Sequence, residues 1–515
     1  MTGPVDGAEV PIVKGTWATA KQSFSDLFIW KQRLLVTDNG HVTTEWRSPE
    51  KLRYPRSLLR QLSWRDWAVF IVSLFAWIAS AFDLHGLGIQ ITKLAKHFGE
   101  TEKTISDRVS LTLLLRPVGA VVFGLIGDKF GRKWPIAVNL LILGILQIGT
   151  VNSKSFTQFI VVRFLFGIFV GGIYGNAISM ALENCPLNAR GLMSGIVQQG
   201  FSTGFVSAAC INLVVGEETG PWETIFWIGA GFSMGIAALQ TIAPESSLYI
   251  KSKSDINHET HRSMRIFEAV KHAAVREWRL FLYCTILMAL FNYCHNFSHD
   301  SYKAFVMTKK GLDDSDASHT SIITRVGGCL GGGATGYLSQ WLGRRRAIIL
   351  TILLGCILIP AWILPDEMVG LSVSGCLMQF FLQGAWGVIP IHLSELAPPG
   401  LRSTFVGITS QLGSVVASPS VRIVHGIAER HHTSGADGSE VPAYGPAMAL
   451  ATAVVAMSIF AITAIGPENR GCHFDRAEFA KSTAFIQGHE VDDDSRCQKQ
   501  PEHVGTIESL TTSVT

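Results

Sequence analysis

Apolar residues in this chain come in runs of about twenty, separated by short clusters of glycine and charge. A run of that length is what one helix needs to cross the hydrocarbon of a bilayer. Twelve spans are expected, at 67–91, 105–127, 134–151, 156–181, 191–215 and 224–242, then at 280–299, 318–342, 347–364, 371–392, 404–424 and 444–465. The polar stretches divide the chain into a tail (1–66), a six-helix half (67–242), a connecting loop (243–279), a second six-helix half (280–466) and a final tail (467–515). The expected fold class is therefore an all-α membrane protein of twelve transmembrane helices in two pseudo-symmetric halves.

A repeat supports the two halves. Gly124-x-x-x-Asp128-Lys129-x-Gly131-Arg132-Lys133 returns as Gly336-x-x-x-Gln340-Trp341-x-Gly343-Arg344-Arg345, 212 positions later. Glu183-x-x-Pro186-x-x-x-Arg190 and Glu395-x-x-Pro398-x-x-x-Arg402 keep the same offset, as do Gly195-x-x-x-Gln199 and Gly407-x-x-x-Gln411. Three pairs at one offset indicate an internal duplication. The fourth span adds Gly167, Gly171, Gly172 and Gly175, a spacing that lets helix backbones approach closely in lipid.

Charge sets the expected orientation. Lys and Arg crowd the first 66 residues, the two hairpins and the connecting loop, whereas Glu217, Glu218, Asp366 and Glu367 fall on the other side of the twelve-span plan. An excess of basic residues marks cytoplasmic loops, so both termini are expected in the cytoplasm. Charged residues make up 16% of the chain, well below the level of about 25% in soluble domains. The formal charge of +3 is too small to suggest nucleic-acid binding. The nine cysteines show no paired spacing, and neither a metal signature nor a cofactor motif is evident. With no cleavable leader in the polar N-terminal stretch, the first span is expected to direct membrane insertion. The tail from Pro467 is expected to be largely disordered, with Ser and Thr open to phosphorylation.

Twelve spans with paired glycine-rich charged hairpins resemble the major facilitator superfamily, over about residues 65–470. The resemblance implies cytoplasmic loops that latch helices during alternating access. The gating residues would be Gly124, Asp128, Gly131, Arg132, Glu183 and Arg190, with Gly336, Gly343, Arg344, Glu395 and Arg402 in the second copy. Gln340 stands where the pattern has Asp, which implies a weaker second latch. Closer stretches are similar to the fungal Jen-type lactate/pyruvate permeases and the related sialate transporters. They are Ala81-Phe82-Asp83, Leu115-Arg116-Pro117-Val118-Gly119-Ala120, Tyr174-Gly175-Asn176-Ala177, the segment from Ala189-Arg190 to Gln198-Gln199, and Ser410-Gln411. That family's seventh-span motif, N-x-x-[ST]-H-x-[ST]-Q-D-x-x-x-T, is met at Asn292, Ser298 and Asp300. It is replaced at His295, Asn296, His299 and Ala304. In the family this stretch governs substrate binding, and the second span carries a transport-critical arginine, which Arg116 matches.

Chemistry narrows the candidates. A guanidinium in hydrocarbon is costly unless it faces a polar cavity, and its fork binds a carboxylate through two bonds. Arg116 is thus the leading substrate residue, the alternative being an ion pair that only holds helices together. Asn292, Ser298, Gln199 and Gln411 would complete the substrate site. Gln199 and Gln411 could equally join helices. Arg325 could be a second anion contact or could sit at the membrane edge. Burial disfavours the charged form of a carboxylate, so Asp83 and Asp300 are candidates for proton coupling. His299 joins them, with His85 and His295 nearby. No nucleophile–base pair or phosphate loop is present, so an enzyme is not expected. The expected function is proton-coupled symport of a short carboxylate by a plasma-membrane protein acting as a monomer in the bilayer. Its partners are a small organic anion and a proton. A carrier of a sugar acid or other polar solute, or a non-transporting nutrient sensor, are the alternatives.

Overall fold

A computed structural model describes residues 17–29, 32–38, 41–47, 52–216, 220–247, 249–250, 270, 275, 277–398, 400–435 and 439–471. Most of the connecting loop and the tail beyond residue 471 therefore lie outside the described residues, as do Glu217 and Glu218. The elements before the first long helix are α1 (Trp17–Asp26), the antiparallel strands β1 (Gln32–Asp38) and β2 (His41–Arg47), and α2 (Pro55–Leu59). The first group of long helices comprises α3 (Trp64–Ile89), α4 (Ile91–Phe98), α5 (Glu102–Thr112), α6 (Arg116–Phe130), α7 (Lys133–Val151), α8 (Phe156–Gly171), α9 (Ile173–Glu183), α10 (Arg190–Gln198), α11 (Gly200–Val215) and α12 (Glu223–Ile242). After the loop come α13 (Trp278–His299), α14 (Tyr302–Thr308), α15 (Asp314–Leu342), α16 (Arg344–Ile357), α17 (Ile359–Ile363), α18 (Met368–Leu396), α19 (Arg402–Val416) and α20 (Ser420–Ala428). A short hairpin, β3 (His432–Ser434) with β4 (Glu440–Pro442), precedes α21 (Tyr444–Ile465).

Helices lie over every segment in which a span is expected. Among the described residues, eight helices are long and apolar enough to cross a membrane. The starts of several long helices are marked locally. Ser63 and Asp66 form a capping box at the head of α3, and the side chains of Ser155 and Asp313 cap α8 and α15. Large apolar side chains cover the outside, and charged and amide side chains are buried within an otherwise apolar core. Ile145, Leu330, Val373, Leu450 and Val454 are exposed, while Asp83, Arg163, Arg325, Gln379 and His392 are buried. Only a surface facing lipid tolerates that arrangement.

Several long helices are interrupted part-way. A 3₁₀ turn, Leu113–Leu115, separates α5 from α6, and Pro117 follows at the start of α6. Proline has no N–H to donate, so the helix is weakest here, and Arg116 sits at the break. Glycines of α8 close on it. A Cβ on Gly171 would meet the Arg116 carbonyl, and one on Gly167 would meet that of Thr112. The glycine spacing expected to permit close approach does so at this break.

The two hairpins adopt the same backbone. Gly131 has φ 97° and ψ 161°, and Gly343 has φ 96° and ψ 159°. That left-handed region strains any residue with a side chain. Around them the two helix groups meet. Asp128 accepts the N–H groups of Ser403 and Thr404 at 3.0 and 2.9 Å, so it caps α19 from across the interface. Gly124 packs on the Thr404 backbone. Arg132 reaches Glu183 at 2.9 Å, and Arg402 reaches the same carboxylate at 3.0 Å. In the second copy Arg344 pairs with Glu395 at 3.0 Å, and Gly336 packs on Gly191 and Gly195. Gln340 accepts from Gly191 N–H at 3.3 Å and donates to the Leu187 carbonyl at 3.1 Å. Arg190 donates to the Cys185 carbonyl at 3.2 Å. The interface is closed at this end.

Before α3 the chain is more structured than a plain polar tail. Arg345 donates to the Ser23 carbonyl at 2.8 Å, and Arg346 donates to the carbonyls of Asp26, Leu27 and Ile29. These hairpin arginines thus satisfy carbonyls at the C-terminal end of α1.

Candidate functional site

Away from the latched end a cavity of about 840 Å³ opens between the two helix groups. The first group lines it with Trp77, His85, Arg116, Tyr174, Gln198, Phe201 and Phe205, and the second with Asn292, His295, His299, Gln383, Trp386 and Gln411. Asp300, Lys303 and Asp314 stand at its mouth, half-exposed. Arg116 is the first of the fifteen residues of α6, which Gly131 ends. At about 1.5 Å per residue it lies about 22 Å along the helix axis from the latch.

Arg116 meets the geometric condition for an anion site. Its Nε is buried with no hydrogen-bond partner, and no carboxylate stands within ion-pair distance of it among the described residues. The alternative of an ion pair that merely ties helices is therefore not seen. Asn292 lines the same cavity. Its amide donates to the Met288 carbonyl at 2.7 Å and accepts from Ser414 at 3.2 Å. Gln411 lines it with a buried oxygen that lacks a partner.

Two expected contacts turn away from the cavity. Ser298 points at Gln379, whose amide donates to its hydroxyl at 3.0 Å. Gln199 occupies the junction of α10 and α11 and points at the second group, donating to the Gln383 carbonyl at 3.4 Å. One residue of helix rotates a side chain by about 100°. Gln198 therefore faces the cavity where Gln199 does not, and it accepts from the Tyr174 hydroxyl at 3.1 Å. The duplicated position was visible in sequence, but which of two adjacent glutamines faces inward depends on the break after α10.

Asp83 and Asp300 have different surroundings. Asp300 ends α13 at the half-exposed mouth, 3.5 Å from His299. Asp83 is buried in α3 on the wall of a smaller cavity of about 330 Å³, which Arg116 and Asp300 also line. One of its oxygens accepts from Ser233 at 3.0 Å. Beside it stands the Gln147 side chain, which accepts from Arg163 at 2.7 Å, and Arg163 itself lies 4.9 Å from the Phe226 ring centre. Sequence reasoning passed over Arg163. It is an arginine inside an apolar run, so the rule that selected Arg116 would have found it.

The structure also resolves the position of Arg325. It is fully buried and donates to His299 Nδ1 at 2.7 Å and to His295 Nε2 at 3.2 Å. His299 accepts from this guanidinium through one nitrogen and carries its ring proton on the other. It can load a further proton only by breaking that bond. His85 is held edge-on between Phe201 and Phe205, at 4.7 and 5.1 Å.

Comparison with known proteins places this architecture. The family model described as Major Facilitator Superfamily matches residues 68–420. A carboxylic acid transporter protein homolog from Saccharomyces cerevisiae is 28% identical over 429 residues, covering 80% of this chain and 69% of that protein. The sialic acid transporter NanX of Escherichia coli is 26% identical, covering 66% of this chain and 82% of its own length. Among solved structures, the proton:xylose symporter XylE superposes with a TM-score of 0.59 at 15% identity, covering 83% of this chain and all of that one. These relatives are transporters, not enzymes.

Proposed function

The chain belongs to the Major Facilitator Superfamily, and from that premise we propose that it is a proton-coupled symporter of a small organic carboxylate, working by alternating access. The observation that carries this reading is Arg116, a permanent cation without a carboxylate partner on the wall of a central cavity. Such a group is stable there only if something anionic answers it. The substrate carboxylate sits on Arg116, with Asn292 and Gln411 setting its fit. The carboxylic acid and sialic acid transporters among the relatives support an organic anion as cargo. Twelve spans in two six-helix halves, with the boundaries expected from sequence, accommodate the twelve helical segments. The basic hairpins and both termini face the cytoplasm of a plasma-membrane protein. On that orientation the arrangement seen here is open outward and latched inward.

Coupling is assigned to Asp83. It is buried, has an oxygen without a partner and opens on the smaller cavity beside Arg116. Neutralised by a proton, it would release Arg163 and Gln147 to rearrange. One proton moving inward gains about 2.3 kcal/mol per 100 mV of membrane potential, enough to drive accumulation of an anion. Uptake of labelled lactate, pyruvate, succinate and sialic acid into vesicles, with and without an inward proton gradient, tests the reading. Gradient-stimulated uptake of at least one is expected, and transport of none by folded protein refutes it.

A second reading, a sugar-acid carrier, draws support from cavity size. About 840 Å³ exceeds what a three-carbon acid fills, and Gln198, Asn292, Gln383 and Gln411 offer amides to hydroxyl groups.

A further inference from the structure

Exposed aromatic rings beside cations mark the latched end of the molecule. Lys129 Nζ lies 4.9 Å from the Phe130 ring centre, and Lys133 Nζ lies 5.5 Å from that of Trp134. Arg65 stands over Trp64 at 6.0 Å and Arg279 over Trp278 at 5.4 Å. All four rings are exposed. Such a pair suits the headgroup layer of a bilayer, because the ring enters the acyl boundary while the charge stays with the phosphates.

The second hairpin departs from this pattern. At the offset of 212 it has Leu342 and Arg346 where the first hairpin has Phe130 and Trp134, so those two rings have no counterpart in the duplicated positions. Arg346 instead turns to α1 and donates to the Asp26, Leu27 and Ile29 carbonyls. That brings two other rings to this place. Phe24 and Phe28 stand edge to face, with centres 5.5 Å apart, and Phe28 is 77% exposed. Ile29 beside them is exposed too, while Ala20, Ser23, Asp26 and Leu27 form the half-buried side of the segment.

The apolar face continues a surface that meets lipid. Arg345, which donates to the Ser23 carbonyl, also donates to the Thr463 carbonyl at 2.9 Å and to that of Ala464. α1 therefore lies at the end of α21, whose Leu450, Val454, Met457 and Ile465 are exposed along its length. Charge fits the same surroundings. Lys21 is exposed about one turn before Phe24. Over residues 14–33 the sequence has Lys14, Lys21, Lys31 and Arg33, against Asp26 as the one acid.

We propose that α1 is an interfacial helix whose partner is an anionic phospholipid surface. Phe24, Phe28 and Ile29 enter the acyl boundary of the leaflet at the latched end, and Lys21 stays with the phosphates. α1 thus supplies the second helix group with the rings that its hairpin does not carry. Arg345 and Arg346 tie them to that hairpin, so the anchor travels with the second group when the first parts from it.

Photo-crosslinking of the full-length protein in nanodiscs tests this, with phosphatidylcholine alone and with added phosphatidylserine. A p-benzoylphenylalanine takes the place of Phe28 in one preparation and of Gln22, far round the helix from Phe24, in another. Both positions are exposed, so neither replacement disturbs packing. Mass spectrometry is expected to find phospholipid on position 28 at several times the yield on position 22, and at a higher yield with phosphatidylserine than without it. Equal yields at the two positions overturn the proposal. Crosslinks from position 28 to a second copy of the chain also overturn it, since that face is then a protein contact. A yield that ignores phosphatidylserine overturns the anionic partner.

Discussion

Asp128 accepts the backbone N–H of Thr404 at 2.9 Å and its hydroxyl at 2.7 Å, so a carboxylate of one helix group caps a helix of the other. The cap can exist only while the groups are closed at the hairpin end. Its strength therefore biases the balance between the two accessible states.

Asp128→Asn removes the charge and leaves one acceptor for a site that uses several. A loss of about 1–3 kcal/mol from the latched state is expected. Spin labels on the two hairpins should report a larger population with separated ends. Gln340→Ala should shift the balance less, because its two bonds across the interface, from the Gly191 N–H and to the Leu187 carbonyl, carry no charge. Equal shifts would contradict the inequality of the two latches.

Arg116→Lys keeps the charge but loses the planar fork. Carboxylate affinity is expected to fall about tenfold or more, with Arg116→Ala falling further. Titration of the purified variants measures this. Wild-type affinity in the lysine variant would mean that only charge matters.

Asp83→Asn imitates the protonated state permanently. Exchange of labelled for unlabelled substrate across the membrane should persist, while accumulation driven by a pH gradient should be lost. Vesicle counterflow and gradient-driven uptake, run side by side, separate the two. Gradient-driven accumulation in this variant would remove Asp83 from coupling.

Gly171→Val puts a branched side chain against the Arg116 carbonyl, where even a Cβ has no room. Destabilisation of about 1–3 kcal/mol or more is expected, with weaker carboxylate binding as the break at Arg116 shifts. Thermal unfolding and titration report each part. A tolerated valine would show that α8 is free to move away.

Arg346→Ala removes donors to the Asp26, Leu27 and Ile29 carbonyls. Hydrogen exchange in α1 should speed up several-fold, while exchange in the long helices stays as it was. Unchanged protection of α1 would mean that other contacts hold it.

Much of the architecture was legible in the chain because lipid enforces a simple rule. Every backbone polar group in hydrocarbon must be satisfied within its own helix, so an apolar run of the right length has few alternatives. The paired hairpins were equally legible, since a left-handed glycine beside a fixed charge leaves a pattern. Arg116 stood out because charge inside an apolar run is expensive wherever it points.

What side chains do with one another needed the tertiary structure. Sequence spacing does not say that α10 ends before Gln199, so it could not tell that Gln198 faces the cavity. It also could not show that Arg325, on another helix, lies behind His295 and His299, or that Arg163 and Gln147 gather beside Asp83. Such contacts depend on how helices rotate and where they break, and those are set by packing between segments far apart in the chain. Sequence alone thus determined that charge is buried in this membrane protein. The fold decided which of those charges still lack a partner.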